Sequence, residues 1–92
     1  MNTKRDKIAI MQSMLQIVAN KSGRIKPTEI MYKANLSHEM LKVYMNELLS
    51  KEFIIEQVDK KGKRTYTVTI KGYTFLKDYE VIKKFFDSYH LN

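Results

Sequence analysis

Lys60, Lys61, Lys63 and Arg64 place four cations within five positions, behind Asp59 and around Gly62. A cluster of that kind suits phosphate, or contact with the minor groove of a duplex, when it sits at the tip of a hairpin. The plainer role for such charges is to keep sheet edges from pairing with other chains. A second set runs from Ser37 to Asn46. Ser37 and His38 can donate to phosphates at a helix start, helped by the helix dipole. Lys42 can reach phosphate or guanine, Asn46 suits adenine, and Val43 suits a thymine methyl. Glu39 cancels Lys42, so this stretch is expected to position the protein and read a few base edges while attracting little by charge. A third set lies in residues 1–26, where Lys4, Arg5, Lys7, Lys21, Arg24 and Lys26 stand against Asp6 alone. Lys4, Arg5 and Lys26 join the candidate contacts.

The whole chain agrees with these local clusters. Seventeen Lys and Arg against ten Asp and Glu give a net charge of +7 and a pI near 9.6, a field that favours nucleic acid or an anionic surface. Catalytic chemistry finds little to work with. There are two histidines, His38 and His90, no cysteine, no glycine-rich phosphate loop, and no carboxylate pair at a plausible cleft. Neither histidine has partners at metal-ligand spacing. The expectation is a non-enzyme with no cofactor, no metal and no small-molecule ligand. No run of about 20 apolar residues exists, and the N-terminus lacks a signal-length apolar core, which predicts no membrane partner and a cytoplasmic, nucleoid-associated location.

The elements that must carry these residues follow from periodicity. Ninety-two residues make a single small core, and without cysteine no disulfide can support it. Thr3-Lys4-Arg5-Asp6 matches a weak capping box and predicts a helix to about Asn20 with Ile8, Met11, Met14 or Leu15, and Val18 inward. Lys21-Ser22-Gly23 ends it, and Arg24-Ile25-Lys26 reads as a short extended piece before Pro27. A second helix to Ala34 buries Ile30, Met31 and Ala34. Asn35 tolerates the left-handed backbone that stops it, and Ser37 caps a third helix over His38–Lys51. Leu41, Tyr44, Met45, Leu48 and Leu49 form the inner face of that helix, leaving Glu39, Lys42, Val43, Asn46 and Ser50 outside. Tyr32 and Tyr44 are expected in the core rather than as stacking platforms for bases.

Phe53–Val58 and Thr65–Ile70 are rich in strand formers and predict a hairpin across the basic loop, with Tyr66, Val68 and Ile70 on one face. Thr69 can cap a last helix over Lys71–Tyr89, about 28 Å long at 1.5 Å per residue. Phe75, Tyr79, Ile82, Phe86 and Tyr89 follow spacings of four, three, four and three, the seam of a coiled coil. Leu76, Val81 and Phe85 lie beside it and are expected to touch the body. Six of the ten aromatics fall between Tyr73 and Tyr89, more than one small domain can cover, so the seam predicts a homodimer.

The order is helix, short strand, helix, helix, strand, basic loop, strand, long helix. The fold class is α+β, mainly α: a winged helix-turn-helix whose long C-terminal helix forms an antiparallel coiled-coil dimer. Residues 1–70 would be the DNA-binding domain and 71–92 the dimerisation helix. Ile30-Met31-Tyr32-Lys33-Ala34-Asn35-Leu36-Ser37, the helix bearing Leu41, Tyr44 and Leu48, and Tyr66-Thr67-Val68-Thr69-Ile70-Lys71-Gly72 together resemble the small basic archaeal winged-helix DNA-binding proteins of about ten kilodaltons. The resemblance spans nearly the whole chain. It implies a chromatin-associated or regulatory binder of double-stranded DNA that dimerises through its last helices, with recognition helix and wing on the duplex. The last helix is shorter than is typical there, and its seam is aromatic where Leu and Ile are usual. The competing function for the same fold is a protein-interaction module of the transcription machinery, its basic wing meeting an acidic partner.

Overall fold

A computed structural model describes residues 6–91. Asp6 opens the first helix, α1 (Lys7–Lys21), with its carboxylate accepting the Ala9 amide at 2.7 Å. Asp6 is thus the N-cap of this helix, and Thr3 of the expected capping box lies outside the described residues. An aspartate in extended conformation caps a free amide and offsets the helix dipole in one step. The buried stripe is Ile10, Met11, Met14, Leu15 and Val18. Ile8, expected inward, is exposed. It falls at the margin of the stripe and borders the last helix instead of the core.

Ser22 and Gly23 both take left-handed backbone, with φ of 50° and 82°, and turn the chain sharply. Ile25 is fully buried but makes only a single antiparallel bridge to Tyr66, so the expected short strand is one residue deep. Helix α2 (Pro27–Ala34) buries Ile30, Met31 and Ala34 as expected. Tyr32 does not join them. It is 78% exposed, because a residue two positions from Ile30 lies about 200° round the helix, away from the core.

Asn35, at φ 57°, ends α2. The Ser37 hydroxyl accepts the Met40 amide at 3.1 Å and starts α3 (His38–Ser50). Met45 and Leu48 are buried, and Leu41, Tyr44 and Leu49 pack half-buried against the core. Strands β1 (Ile54–Val58) and β2 (Arg64–Val68) pair antiparallel from Ile54 opposite Val68 to Val58 opposite Arg64. The second strand stops short of Ile70, where alternation alone would carry it. Thr69 ends it by capping α4 (Ile70–Ser88) through the Gly72 amide at 3.0 Å, which leaves Ile70 as an exposed first helical residue.

Helix α4 starts on the core and then leaves it. Phe75 and Leu76 pack against the core, and Phe75 stacks on Phe53 with centroids 5.0 Å apart. Val81 and Phe85, expected to touch the body, are exposed because they lie on the side of α4 turned away from α1, which faces Tyr79, Ile82 and Lys83 instead. The molecule is 50 Å long and 30 by 21 Å across. Among the described residues no helix is long and apolar enough to cross a membrane.

The burial pattern sets a first test. Tyr32→Ala is expected to change unfolding free energy by less than about 0.5 kcal/mol, while Ile54→Val, at a nearly inaccessible site, should cost about 1 kcal/mol in urea titrations.

Candidate nucleic-acid interface

Asp59 builds the tip of the hairpin. Its carboxylate accepts the amides of Lys61 and Lys63 at 2.8 and 2.9 Å, while its own amide donates to the Lys63 carbonyl. Gly62, at φ 81°, supplies the backbone that closes the turn. The acidic charge is thus spent on backbone amides, and Lys60, Lys61 and Lys63 remain exposed around it.

One strand position further in, Arg64 turns toward α3. Register places Glu56, Val58, Arg64 and Tyr66 on the same face of the hairpin. The Arg64 guanidinium stands 3.6 Å from Glu56 Oε2, and the Tyr66 hydroxyl donates to that same oxygen at 3.2 Å. Burial first, and then the Glu56 charge, pushes the Tyr66 phenol above its ordinary pKa, so it remains a donor. This face borders an open groove of about 350 Å³ against α3, lined there by His38, Lys42 and Asn46.

Of the residues singled out in the sequence, His38, Lys42, Asn46 and Arg64 therefore meet around one groove. Ser37, at the cap of α3, and Val43 on it are exposed but do not line the groove, and neither do the three exposed wing lysines. The Ser37 hydroxyl is occupied as an acceptor by its cap but keeps its proton to donate outward. Lys26 immediately precedes Pro27, a lining residue, and its amide donates to Glu29 Oε1. Lys4 and Arg5 lie outside the described residues.

The basic N-terminal third is less available than its composition suggests. Lys7 pairs with Glu47 at 2.9 Å and Lys21 with Glu29 at 3.6 Å. The Lys7 ammonium beside Glu47 holds that carboxyl below its ordinary range. For Glu29 the main cause is the Lys26 backbone amide. Sequence reasoning misses Glu56 altogether. Its only signal is a lone acid in a strand-forming stretch, Ile54–Val58, which becomes meaningful once register sets it beside Arg64.

A helix-turn-helix followed by a hairpin is thus in place, and the model of the winged helix-turn-helix proteins matches residues 4–86. The chain belongs to the winged helix-turn-helix family. This winged helix-turn-helix chain is 40% identical over 81 residues to an uncharacterized protein of Methanocaldococcus jannaschii, covering 88% of its own length. It spans only 35% of the length of that archaeal relative. Among solved structures it is similar to Sso10a-2, a DNA-binding protein from Sulfolobus solfataricus, with a TM-score of 0.78 and 19% identity over 94% of this chain and 86% of that one. A mutant of Staphylococcus aureus MepR bound to an oligodeoxyribonucleotide has a TM-score of 0.74 at 12% identity, over 89% and 62% of the two chains. The PcaV transcriptional regulator from Streptomyces coelicolor, in complex with its natural ligand, reaches 0.78 at 12% identity, over 98% and 63%. At these identities the structural likenesses establish the winged-helix fold. The archaeal resemblance read from the sequence has a sequence relative and a structural neighbour behind it.

Proposed function

We propose that this chain is a homodimeric protein of the nucleoid that binds double-stranded DNA, as a transcription regulator or a chromatin-associated protein. The observation that carries this reading is the convergence of Arg64 from the wing with His38, Lys42 and Asn46 from α3 around one groove, on a hairpin whose tip exposes Lys60, Lys61 and Lys63. A helix beside a basic hairpin is an arrangement that lets α3 enter the major groove while the wing follows the backbone. The DNA-bound MepR mutant supports the same use of the fold.

Most of the affinity is electrostatic. If each subunit neutralises about four phosphates, the log affinity of a dimer falls against log salt with a slope near −7. Fluorescence anisotropy on a labelled duplex from about 50 to 300 mM salt measures that slope, and a flat response or no binding at low salt overturns the proposal. Selection from a random duplex library then separates a regulator, which enriches a motif, from an architectural protein, which does not.

Dimerisation is assigned to α4. Tyr79, Ile82, Phe86 and Tyr89 form its seam, with Phe75 at the root where it also stacks on Phe53. Ile82, Phe86 and Tyr89 stay exposed in the monomer, and Ile8 of α1 widens their apolar face across a groove of about 480 Å³. Antiparallel packing against the same helix of a second copy covers that face, with residues 1–70 of each subunit left to bind DNA. The Ile82→Lys, Phe86→Lys double variant buries charge without a partner and is expected to sediment as a monomer. A dimer that survives both changes refutes the seam.

A further inference from the structure

Glu56 is the one carboxylate among the described residues that lines the groove between α3 and the wing. The basic side chains that line it with Glu56 are Lys42 and His38 on α3 and Arg64 on β2. An acid in a phosphate-binding groove opposes binding, and this one is held in place. Its Oε2 accepts the Tyr66 hydroxyl at 3.2 Å and stands 3.6 Å from the Arg64 guanidinium. Tyr66 is 5% exposed and is bridged through its backbone to the buried Ile25, so the hydroxyl is a fixed donor. Arg64 remains well exposed, with 67% of its side chain accessible against 31% for Glu56.

We infer that Glu56 is a specificity-determining residue that acts as a built-in competitor for phosphate: it occupies Arg64 in the free protein and suppresses indiscriminate binding to duplex DNA. The inference rests on the DNA-binding function proposed for this fold. A carboxylate and a phosphate oxygen offer the guanidinium the same kind of acceptor, so Arg64 can leave Glu56 only when the incoming contact is better. Loose, sequence-independent encounters gain little from that exchange. A correctly docked duplex presses a phosphate or base edge into the groove and displaces the carboxylate, which the Tyr66 hydroxyl then retains away from the DNA. The pair is exposed to solvent, which keeps the barrier to exchange low.

The test uses the full chain, a 30-base-pair duplex of arbitrary sequence and anisotropy titrations across salt. Glu56→Gln keeps an oxygen for the Tyr66 hydroxyl and removes the charge. It is expected to tighten binding about three- to fivefold per subunit at low salt, the scale of an exposed ion pair. It should also steepen the log–log salt slope by about 0.9 per subunit, one more phosphate neutralised. Arg64→Ala placed on top of Glu56→Gln should cancel both changes. Glu56→Ala should repeat the tightening if the charge, and not the amide, is responsible. Unchanged or weaker binding by both Glu56 variants, with unfolding midpoints like the parent, overturns the inference while leaving the proposed function standing. Absence of duplex binding by the unaltered protein overturns both.

Discussion

Gly72→Ala is expected to lower the melting temperature by about 12 to 24 °C, the equivalent of about 3 kcal/mol in a domain of this size. The direction is opposite to the ordinary one, since alanine in place of glycine inside a helix usually gains about 1 kcal/mol. Here a Cβ would overlap the Phe53 carbonyl oxygen and approach Val68 Cγ1 to 2.6 Å. Valine can turn, but Phe53 cannot retreat. Its amide donates to the Leu48 carbonyl at 2.9 Å, its carbonyl accepts the Thr69 amide at 3.0 Å, and its ring stacks on Phe75. The preceding Glu52 is itself in left-handed backbone at φ 61°, and its carbonyl accepts the Thr69 hydroxyl at 2.6 Å. The corner where β2 becomes α4 is therefore bolted to the end of α3, and added volume must break one of these bonds. Gly62→Ala makes a useful contrast. Nothing lies within 4 Å of that position, so its cost is only the strain of positive φ, about 1 kcal/mol. Differential scanning calorimetry of the two variants separates a crowded glycine from a merely flexible one.

The elements decided by near neighbours in the chain are legible in the amino-acid sequence itself. Asn35 stopping α2, Ser37 capping α3 and Thr69 capping α4 are decisions made within three or four residues, and all three hold. The inner faces of α2 and α3 follow from periodicity for the same reason. What escapes depends on residues far apart in the chain. Ile8 sits at the margin of its stripe, where coverage depends on α4, whereas Tyr32 is the exception: periodicity within α2 already sets it away from Ile30 and Ala34. Alternation continues through Ile70 and predicts strand there, while the cap at Thr69 has the stronger local claim. Lys7 counts as free charge in the sequence, but Glu47, forty positions on, neutralises it. The groove is half legible: α3 supplies its candidates from one helix face, and the wing supplies its cations from one loop. That Arg64 faces α3 with Glu56 beside it follows only from the strand register.

These pairings redistribute the expected binding energy toward the wing. Lys60, Lys61 and Lys63 are exposed at the hairpin tip, and the nearby Asp59 carboxylate is engaged by two backbone amides. Changing the three lysines to glutamine should remove about two phosphate contacts per subunit, or about four per dimer, and flatten the salt slope from near −7 to near −3.5. At 0.1 M salt the loss of affinity for an arbitrary duplex is then on the order of a thousandfold, shrinking steadily as salt rises. The matched control removes charge from the other end of the chain's basic segments. Lys7→Gln with Lys21→Gln breaks the pairs to Glu47 and Glu29, and because those lysines are already neutralised the slope should change by less than about 1. Anisotropy titrations of both variants at several salt concentrations give the comparison. If the two variants lose equal affinity, net charge alone governs binding and the hairpin has no special place in it. If only the wing variant loses affinity, the contacts are local to the groove and its rim, where α3 and Arg64 already converge.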